Sequence, residues 1–286
     1  MTSADIAAAS AYWTAAVRAR ETARPDRLFQ DPWASALAGE RGRELLRRKE
    51  ERDRREDLLL PLRTRWFDDA VATELTGQTG QLVELGSGLD TRPYRLRLPA
   101  GTRAFELDQS SVQRHKEAVL ATMPTPDRSV TDVATDLRGD WSPDLVHAGF
   151  EPSRRSVWVA EGLLMYLDHD AATRLLRTTA GLSAPGSVLI LDTLARATRR
   201  TDQVAGTGAK FLPADLPSLL AANHWTQRAH TTIAGPARAY GRIPDQPRSG
   251  EKPNDLTYLL VIADLSLAED HRRQRTATAV RRCPGR

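Results

Sequence analysis

The feature that most constrains this chain is the stretch VELGSGLDTR at residues 83–92. A short apolar run leads into Gly86 and Gly88, where the lack of side chains allows a tight reversal and lets a ligand approach the backbone. A second apolar run ends at Asp108, where a Rossmann-like unit places a carboxylate that accepts hydrogen bonds from ribose hydroxyls. The pattern predicts a Rossmann-like α/β sheet with a nucleoside ligand at the glycine turn.

Short apolar runs alternate with helical segments along the chain, which is typical of a mostly parallel sheet with helices on both faces. We predict strands over residues 81–85, 102–107, 129–133, 156–160 and 187–191, and a late antiparallel strand over 256–263. We expect a helix from residue 33, where Asp31 and Pro32 supply an N-cap and a first helical position. Further helices are expected over 56–75, 112–121 and 169–182.

Composition divides the chain into three parts. Residues 1–78 are rich in Ala, Leu, Arg and Glu, and we expect them to form a helical cap packed on the ligand site. Residues 79–268 are expected to form the core that contains the sheet, with a lid or loop region near 205–253 that is rich in Pro and Gly. Residues 269–286 form a basic tail that we expect to be disordered.

Composition also argues against several classes of protein. No apolar stretch approaches the roughly 18 residues of a membrane span, and the first residues lack the regions of a secretory signal, so we expect a cytoplasmic protein. The single cysteine, Cys283, leaves neither a disulfide framework nor a cysteine metal site, and we expect no metal. The formal net charge of +4 suits an acidic small molecule. The basic run over 41–55 alternates with acidic residues, which disfavours a nucleic-acid surface.

Two details of the glycine turn favour S-adenosylmethionine over a dinucleotide. Thr91 stands where a third glycine would pack a helix beside a pyrophosphate. Glu84 precedes the glycines, where its carboxylate would repel a pyrophosphate but attract the cationic sulfonium and α-amino groups of S-adenosylmethionine. The alternatives are an ordinary strand–helix turn without a ligand and an NAD-dependent oxidoreductase, which would share the ribose carboxylate.

Several segments in a fixed order carry a resemblance to a known family. They are RPDRLFQDPWA at residues 24–34, RTR at 63–65, VELGSGLDTRPYRL at 83–96, FELDQ at 105–109, DLR at 136–138 and AEGLLMYL at 160–167. Together they resemble the leucine carboxyl methyltransferase family, including its bacterial S-adenosylmethionine-dependent O-methyltransferases and the polyketide carboxyl methyltransferases of tetracenomycin type. The resemblance implies a Rossmann-like class I methyltransferase sheet with S-adenosylmethionine as the cofactor.

The resemblance also implies roles for residues at the methionine end of the cofactor. Arg63 resembles the arginine that holds the methionine carboxylate, and Arg18 resembles a second partner for that group. Glu161 resembles the acidic residue after the fourth strand, which faces the methionine part or the substrate entrance. Glu84 belongs to the same end by its charge. A role on the helix surface is the alternative for Arg63.

Other residues resemble the family's adenosine site. Gly86 and Gly88 resemble the turn beneath the cofactor, and Asp108 resembles the ribose carboxylate. Asp136 and Leu137 resemble the pair beside the adenine, where a side-chain acceptor can take the exocyclic amine. The alternative for Asp136 is that it only forms a turn.

Methyl transfer from a sulfonium is an in-line displacement, for which the protein mainly supplies proximity and alignment. A carboxylate acceptor is ionised at neutral pH and needs no base, whereas a hydroxyl acceptor needs one. The candidates for a catalytic role are His224, beside Trp225 in the expected lid, and Glu161. We therefore expect O-methylation of a carboxylate, or of a hydroxyl, on a small acidic secondary metabolite. The alternative is a protein that keeps the cofactor pocket for binding, regulation or a reaction other than methylation.

Overall fold

One mixed sheet organises the computed structural model of the chain, which describes residues 3–54, 56–77, 80–126, 129–196, 210–242 and 256–266. Its strands are β1 (Gln81–Leu85), β2 (Arg103–Asp108), β3 (Val130–Ala134), β4 (Ser156–Ala160), β5 (Val188–Arg196), β6 (Trp225–Thr232) and β7 (Leu256–Leu265). The helices are α1 (Ser3–Ala23), α2 (Ala34–Asp53), α3 (Leu59–Leu75), α4 (Arg92–Arg95), α5 (Ser110–Leu120), α6 (Ser142–His147), α7 (His169–Gly181), α8 (Leu216–Ala222) and α9 (Ala234–Ala239). A 3-10 turn covers Leu164–Tyr166.

The strands lie in the order β3-β2-β1-β4-β5-β7-β6. The pairs among β1 to β5 are parallel, and β7 runs antiparallel to both β5 and β6. Strands β1 and β4 are buried along their whole length, as expected for the centre of a sheet that is covered on both faces. The strand order reverses between them, and ligands of open α/β sheets bind at the carboxyl ends of the strands at such a reversal.

Alternate residues of the central strands pack on opposite faces of the sheet. Leu82 of β1 belongs to a buried cluster with Phe67 of α3. Its neighbour Val83 belongs to a cluster on the other face, which contains Trp141 and Trp158 with their ring centroids 6.2 Å apart. This period of two places one apolar residue of each pair in each layer, and the sheet is therefore covered on both sides.

Helix α3 packs on one face of the sheet through Phe67 and Val71, whereas α1 and α2 lie beside the turn that follows β1. Helices α1 and α2 pack against each other and, with Leu89 and Val112, form one apolar cluster. The carboxylate of Asp31 accepts hydrogen bonds from the backbone N–H groups of Trp33 (3.3 Å) and Ala34 (3.1 Å). Asp31 thus performs the expected cap function, although α2 begins at Ala34. Helix α3 begins at Leu59, three residues after the predicted start.

The strand predictions are confirmed most closely at the centre of the sheet. Strands β1 and β4 have the predicted bounds, and β2 and β3 are each shifted by one residue. Strand β5 continues to Arg196, beyond the predicted end at residue 191, because β7 pairs with it along its whole length. The late antiparallel strand is confirmed as β7.

The expectation of a lid or loop region near 205–253 is wrong for residues 210–242. This segment forms α8, β6 and α9, and β6 pairs with β7 as a second antiparallel strand at the sheet edge. Trp225 is fully buried, and its Nε1 donates a hydrogen bond to the carbonyl of Leu176 at 3.0 Å. Most of the following β6 side chains are exposed or half-buried, so the apolar alternation of a strand is weak there. Residues 205–209 and 243–253, and the predicted tail at 269–286, lie outside the described residues.

Two kinds of structural feature do not occur in the described part of the chain. No helix there combines the length and the apolar character that a membrane crossing requires. Nor does any group of three His, Cys, Asp or Glu side chains within those ranges converge as metal ligands would.

Trp225→Ala should destabilise the protein by about 3–5 kcal/mol, because the truncation leaves a cavity and removes a buried hydrogen bond. Denaturant unfolding monitored by circular dichroism measures this loss. His230→Ala, at an exposed position of the same strand, is the matched control and should change stability by about 0.5 kcal/mol or less. Equal small effects of both substitutions would show that β6 does not belong to the core.

Candidate functional site

A cleft opens at the carboxyl ends of β1, β2 and β4, where the strand order reverses. It has two connected chambers, which share Gly86, Gly88 and Gly162 in their walls. We name them the Asp108 chamber and the Arg63 chamber after one residue in each wall.

The residues predicted to bind a cofactor all lie in the walls of this cleft. In the Asp108 chamber or shared by both chambers are Gly86, Gly88, Asp108, Asp136 and Leu137. In the Arg63 chamber are Arg18, Arg63, Glu84 and Glu161. The fold therefore brings together residues that are distant in the sequence.

The glycine turn forms the boundary between the two chambers. Gly86 and Gly88 have φ values of 66° and 55°, a backbone conformation that favours glycine. The N–H of Gly86 donates to the carbonyl of Leu107 at 2.8 Å, which ties β1 to β2. A Cβ on Gly86 would lie 2.9 Å from Cδ1 of Leu163, and a Cβ on Gly88 would lie 3.4 Å from that of Ala11 in α1. Both positions therefore favour glycine because of their backbone conformation.

Asp108 lies at the end of β2, with both carboxylate oxygens turned toward the glycine turn and the start of α5. Oδ2 accepts a hydrogen bond from the N–H of Gly88 at 2.7 Å, and Oδ1 accepts one from the N–H of Gln109 at 2.6 Å. Burial raises the pKa of Asp108, although these two N–H donors act in the opposite direction. The backbone bonds hold the carboxylate in one orientation in the chamber wall.

Asp136 and Leu137 follow β3 and line the outer part of the Asp108 chamber. Leu137 is buried and supplies an apolar surface. Asp136 is exposed and accepts hydrogen bonds from Nη2 of Arg138 at 2.6 Å and from its Nε at 2.9 Å. The hydrogen bonds from Arg138 hold the pKa of Asp136 below its usual value, so this carboxylate is an ionised acceptor at neutral pH.

Arg63 of α3 reaches inward to the Arg63 chamber and is only 8% exposed. Its Nε donates to Oε1 of Glu161 at 3.0 Å, and its Nη1 donates to Oδ2 of Asp192 at 3.3 Å. A Cβ at Gly162 would lie 3.1 Å from both Nη atoms, so this glycine makes room for the guanidinium. The alternative of a surface role for Arg63 is therefore wrong.

Asp192 is a residue that the sequence analysis missed. It lies in β5, is buried, and accepts a hydrogen bond from the N–H of Gly162 at 2.6 Å through Oδ1. Burial raises the pKa of Asp192 to about 6, although Arg63 and the N–H of Gly162 act in the opposite direction. The available signal was a lone carboxylate inside the apolar run LILDTLA, because a buried charge requires a partner.

Arg18 of α1 joins the helical cap to the glycine turn. Its Nε donates to Oδ2 of Asp31 at 2.9 Å, and its Nη2 donates to the carbonyl of Leu89 at 2.5 Å. The side chain is buried and lines the Arg63 chamber. Arg18 and Arg63 therefore supply positive charge to the same chamber from two different helices.

Arg92 is a second residue that the sequence analysis did not single out for a role. It is 1% exposed, and its guanidinium contacts carboxylates from four parts of the chain. The contacts are with Asp68 (2.9 Å), Glu84 (3.0 Å), Asp90 (2.9 Å) and Glu161 (2.6 Å). Burial alone would raise the pKa of Asp90, but Arg92 and Arg95 outweigh burial and hold that pKa below its usual value.

Glu84 presents one oxygen to Arg92 and leaves the other without a partner. Oε1 accepts from Nη1 of Arg92 at 3.0 Å, whereas Oε2 is buried and has no hydrogen-bond partner within the described ranges. Glu84 lines the Arg63 chamber. An unpartnered buried carboxylate oxygen is costly unless a ligand satisfies it, so this atom marks a position for a hydrogen-bond donor or a cation.

The structure removes His224 from the candidate site. The next residue, Trp225, pairs with Leu265 of β7, and the neighbouring Asp264 pairs with Val188 at the start of β5. His224 therefore lies near the amino ends of the parallel strands, whereas the cleft lies at their carboxyl ends. The two oxygens of Glu161, the other catalytic candidate, accept hydrogen bonds from Arg63 and Arg92. Both oxygens of Glu161 are therefore paired with arginines.

Comparison with known proteins relates the sequence to one family. The family described as leucine carboxyl methyltransferase matches residues 11–180. A protein of Frankia alni, provisionally named an S-adenosyl-L-methionine-dependent methyltransferase, is 44% identical over 178 residues, which cover 60% of this chain and 64% of that protein. This chain therefore spans a little under two thirds of the length of that relative. A second Frankia alni protein with the same provisional name is 39% identical over 261 residues, which cover 85% of this chain and 91% of that protein.

A solved structure supports the same fold class. The crystal structure of a provisionally named methyltransferase from Thermobifida fusca is similar with a TM-score of 0.57 and 17% identity. The match covers 86% of this chain and 96% of that chain. At this identity the likeness concerns the fold, which is the class I methyltransferase sheet expected from the sequence.

The raised pKa of Asp192 predicts a specific dependence of stability on pH. Because the folded pKa of about 6 lies above the unfolded value of about 3.9, folding takes up a proton in this window. The contribution of Asp192 is fully present below about pH 4 and is lost as the pH rises through about 6. Asp192→Asn should therefore flatten the decline in unfolding free energy between about pH 4 and pH 6.

Denaturant unfolding at several pH values measures that slope. Asp136→Asn is the control, because the pKa of this exposed carboxylate is lowered and its contribution changes below about pH 4. An unchanged slope in Asp192→Asn would contradict the assignment.

Proposed function

The chain belongs to the leucine carboxyl methyltransferase family, and on that basis we propose that it transfers a methyl group from S-adenosylmethionine to an oxygen of a small acidic molecule. The observation that carries the proposal is the division of one cleft into two chambers of different chemistry. The Asp108 chamber combines carboxylate acceptors with an apolar surface, and the Arg63 chamber combines arginines with carboxylates. These features match a nucleoside and a zwitterionic amino acid, the two ends of S-adenosylmethionine.

The nucleoside end fits the Asp108 chamber. The Asp108 carboxylate, held by two backbone N–H groups, retains lone pairs for the ribose hydroxyls. Asp136 is ionised and can accept a hydrogen bond from the exocyclic amine of adenine, while Leu137 provides an apolar surface for the ring. The glycine turn leaves space for a ligand to lie against the backbone.

The amino-acid end fits the Arg63 chamber. Arg63 and Arg18 would hold the methionine carboxylate through charge-assisted hydrogen bonds. The unpartnered Oε2 of Glu84 would accept the α-amino group. This buried orphan oxygen supports a cationic ligand and opposes a dinucleotide, whose pyrophosphate it would repel.

The residues of the cleft then act by binding and orientation. S-adenosylmethionine supplies, when bound, a methyl group that is already activated on a sulfonium. By holding both ends of the ligand, the cleft would present the methyl group to the acceptor from one direction. This alignment is the main contribution of such a site.

The acceptor that the cleft favours is a carboxylate. A carboxylate is ionised at neutral pH and attacks without a general base. Among the described residues that line the two chambers no histidine occurs, and Glu161 is held by two arginines. A hydroxyl acceptor, which needs a base, is therefore less well supported. The proposed substrate is a small acid of secondary metabolism, and the proposed location is the cytoplasm.

Incubation with methyl-labelled S-adenosylmethionine and matched pairs of carboxylic acids and phenols tests this function. We expect methyl esters to form, detected by the mass of the product. Methylation of phenols alone would overturn the carboxylate assignment. Binding of S-adenosylmethionine without methylation of any acceptor would favour a binding or regulatory protein, and binding of NAD instead would favour an oxidoreductase.

Arg63→Ala should strongly weaken the binding of S-adenosylmethionine. The binding of methylthioadenosine, which lacks the amino-acid tail, should be little affected. Arg63→Lys should recover only part of the loss, because an ammonium lacks the two-pronged geometry of a guanidinium. Calorimetric titration of both ligands measures the difference. Equal losses for the two ligands would show that Arg63 supports the fold rather than the carboxylate.

Asp108→Ala is the matched variant at the other end of the cleft. It should weaken the binding of both ligands alike, by about 1–3 kcal/mol of binding free energy, because both contain the ribose. Calorimetry with the same two ligands provides the measurement. Unchanged affinities would remove Asp108 from the ribose site.

A further inference from the structure

One buried guanidinium connects the two groups that would recognise the amino-acid end of the cofactor. We infer that Arg92 is a positioning residue, which orients Glu84 directly and Arg63 through Glu161. The inference rests on the proposed function, since it concerns how the Arg63 chamber recognises a zwitterion. It assigns the selectivity for the cofactor tail to a side chain buried beneath the ligand.

The hydrogen bonds of Arg92 define this connection. Nη1 donates to Oε1 of Glu84 at 3.0 Å, which leaves Oε2 without a partner in the described structure. Nη2 donates to Oε2 of Glu161 at 2.6 Å, while Oε1 of Glu161 accepts from Nε of Arg63 at 3.0 Å. The proposed acceptor of the α-amino group and the proposed donor to the methionine carboxylate are therefore linked through two carboxylates and one guanidinium.

The planar geometry of arginine is necessary for this arrangement. Nε of Arg92 donates to Asp68 at 2.9 Å, and Nη1, which donates to Glu84, also lies 2.9 Å from Oδ2 of Asp90, so the three nitrogens together contact four carboxylates. A guanidinium offers its donors in a rigid fork, whereas the ammonium of lysine is a single compact charge. Lysine at position 92 could neutralise part of the cluster but could not orient Glu84, Glu161 and Asp68 together.

Loss of this orientation should act on the tail of the cofactor specifically. Burial raises the pKa of Glu84, and Arg92 opposes that shift. Without the guanidinium, Glu84 would take up a proton more readily and would attract an α-amino group less. Glu161 would also lose one of its two arginines and its fixed orientation toward Arg63. Neither change reaches the Asp108 chamber, whose carboxylate is held by backbone N–H groups.

Arg95 offers a matched comparison on the same short helix. Its side chain is buried, and like Arg92 it contacts Asp68 and Asp90. Its ion pairs in the described structure do not include Glu84 or Glu161. The two arginines thus share burial, helix and two partners, and they differ in the contacts that lead to the chamber.

The test is calorimetric titration of the full chain with S-adenosylmethionine and with methylthioadenosine. Arg92→Lys should lower the affinity for S-adenosylmethionine about ten- to a hundredfold, the range for lost hydrogen bonds to charged groups. It should change the affinity for methylthioadenosine by about twofold or less. Arg95→Lys should lower the unfolding temperature but leave the ratio of the two affinities as in the wild type. A Glu84→Gln variant, which removes the charge and keeps the size of the side chain, should show the same selective loss as Arg92→Lys.

The outcomes separate this inference from the proposed function. Equal weakening of both ligands in Arg92→Lys, or the same change of ratio in Arg95→Lys, would overturn the positioning role and leave the proposed function standing. If Arg92→Lys does not fold, Glu84→Gln decides: a selective loss of S-adenosylmethionine supports the inference, and an unchanged ratio overturns it. A wild-type protein that binds neither ligand would overturn the proposed function itself, and the inference with it.

Discussion

The pairing of buried arginines with carboxylates beneath the cleft is the interaction on which the rest of the structure depends. Arg63, Arg92 and Glu161 join α3, α4 and the end of β4, and Arg18 joins α1 to the turn after β1. Burying a charge costs several kcal/mol unless it is paired and hydrogen-bonded. Each group therefore requires the others in place, and the helical cap and the sheet become one structure around the ligand site.

The same charges explain why the cleft has two parts. The glycine turn removes side chains from the boundary between the chambers, and the reversal of strand order opens the space above it. On one side, two backbone N–H groups hold Asp108. On the other side, side chains from distant elements hold one another. The nucleoside part of a ligand would thus meet a local site, and its zwitterionic end would meet a site that exists only in the folded chain.

The chemistry proposed for the chain follows from what lies near the cleft and what does not. His224 lies near the amino ends of the parallel strands, too far from the cleft to remove a proton from an acceptor in either chamber. The carboxylates of the Arg63 chamber are engaged by arginines, apart from one oxygen of Glu84. A site with this composition is suited to orienting charged ligands, which supports the proposal of an acceptor that is already ionised.

The sequence by itself determined the features that depend on near neighbours along the chain. The bounds of β1 and β4, the glycine turn and the position of Asp108 follow from local apolar patterns and short spacings, and Glu84 follows from its charge. The family resemblance added Arg18, Arg63, Asp136, Leu137 and Glu161. Strand β6 could not be predicted, because an edge strand with one buried tryptophan lacks a clear alternation. Only the tertiary structure decided the partners of Arg92 and Asp192. Arg92 meets Glu161 across 69 residues and Arg63 meets Asp192 across 129, and pairing over such separations depends on where folding brings the charges together.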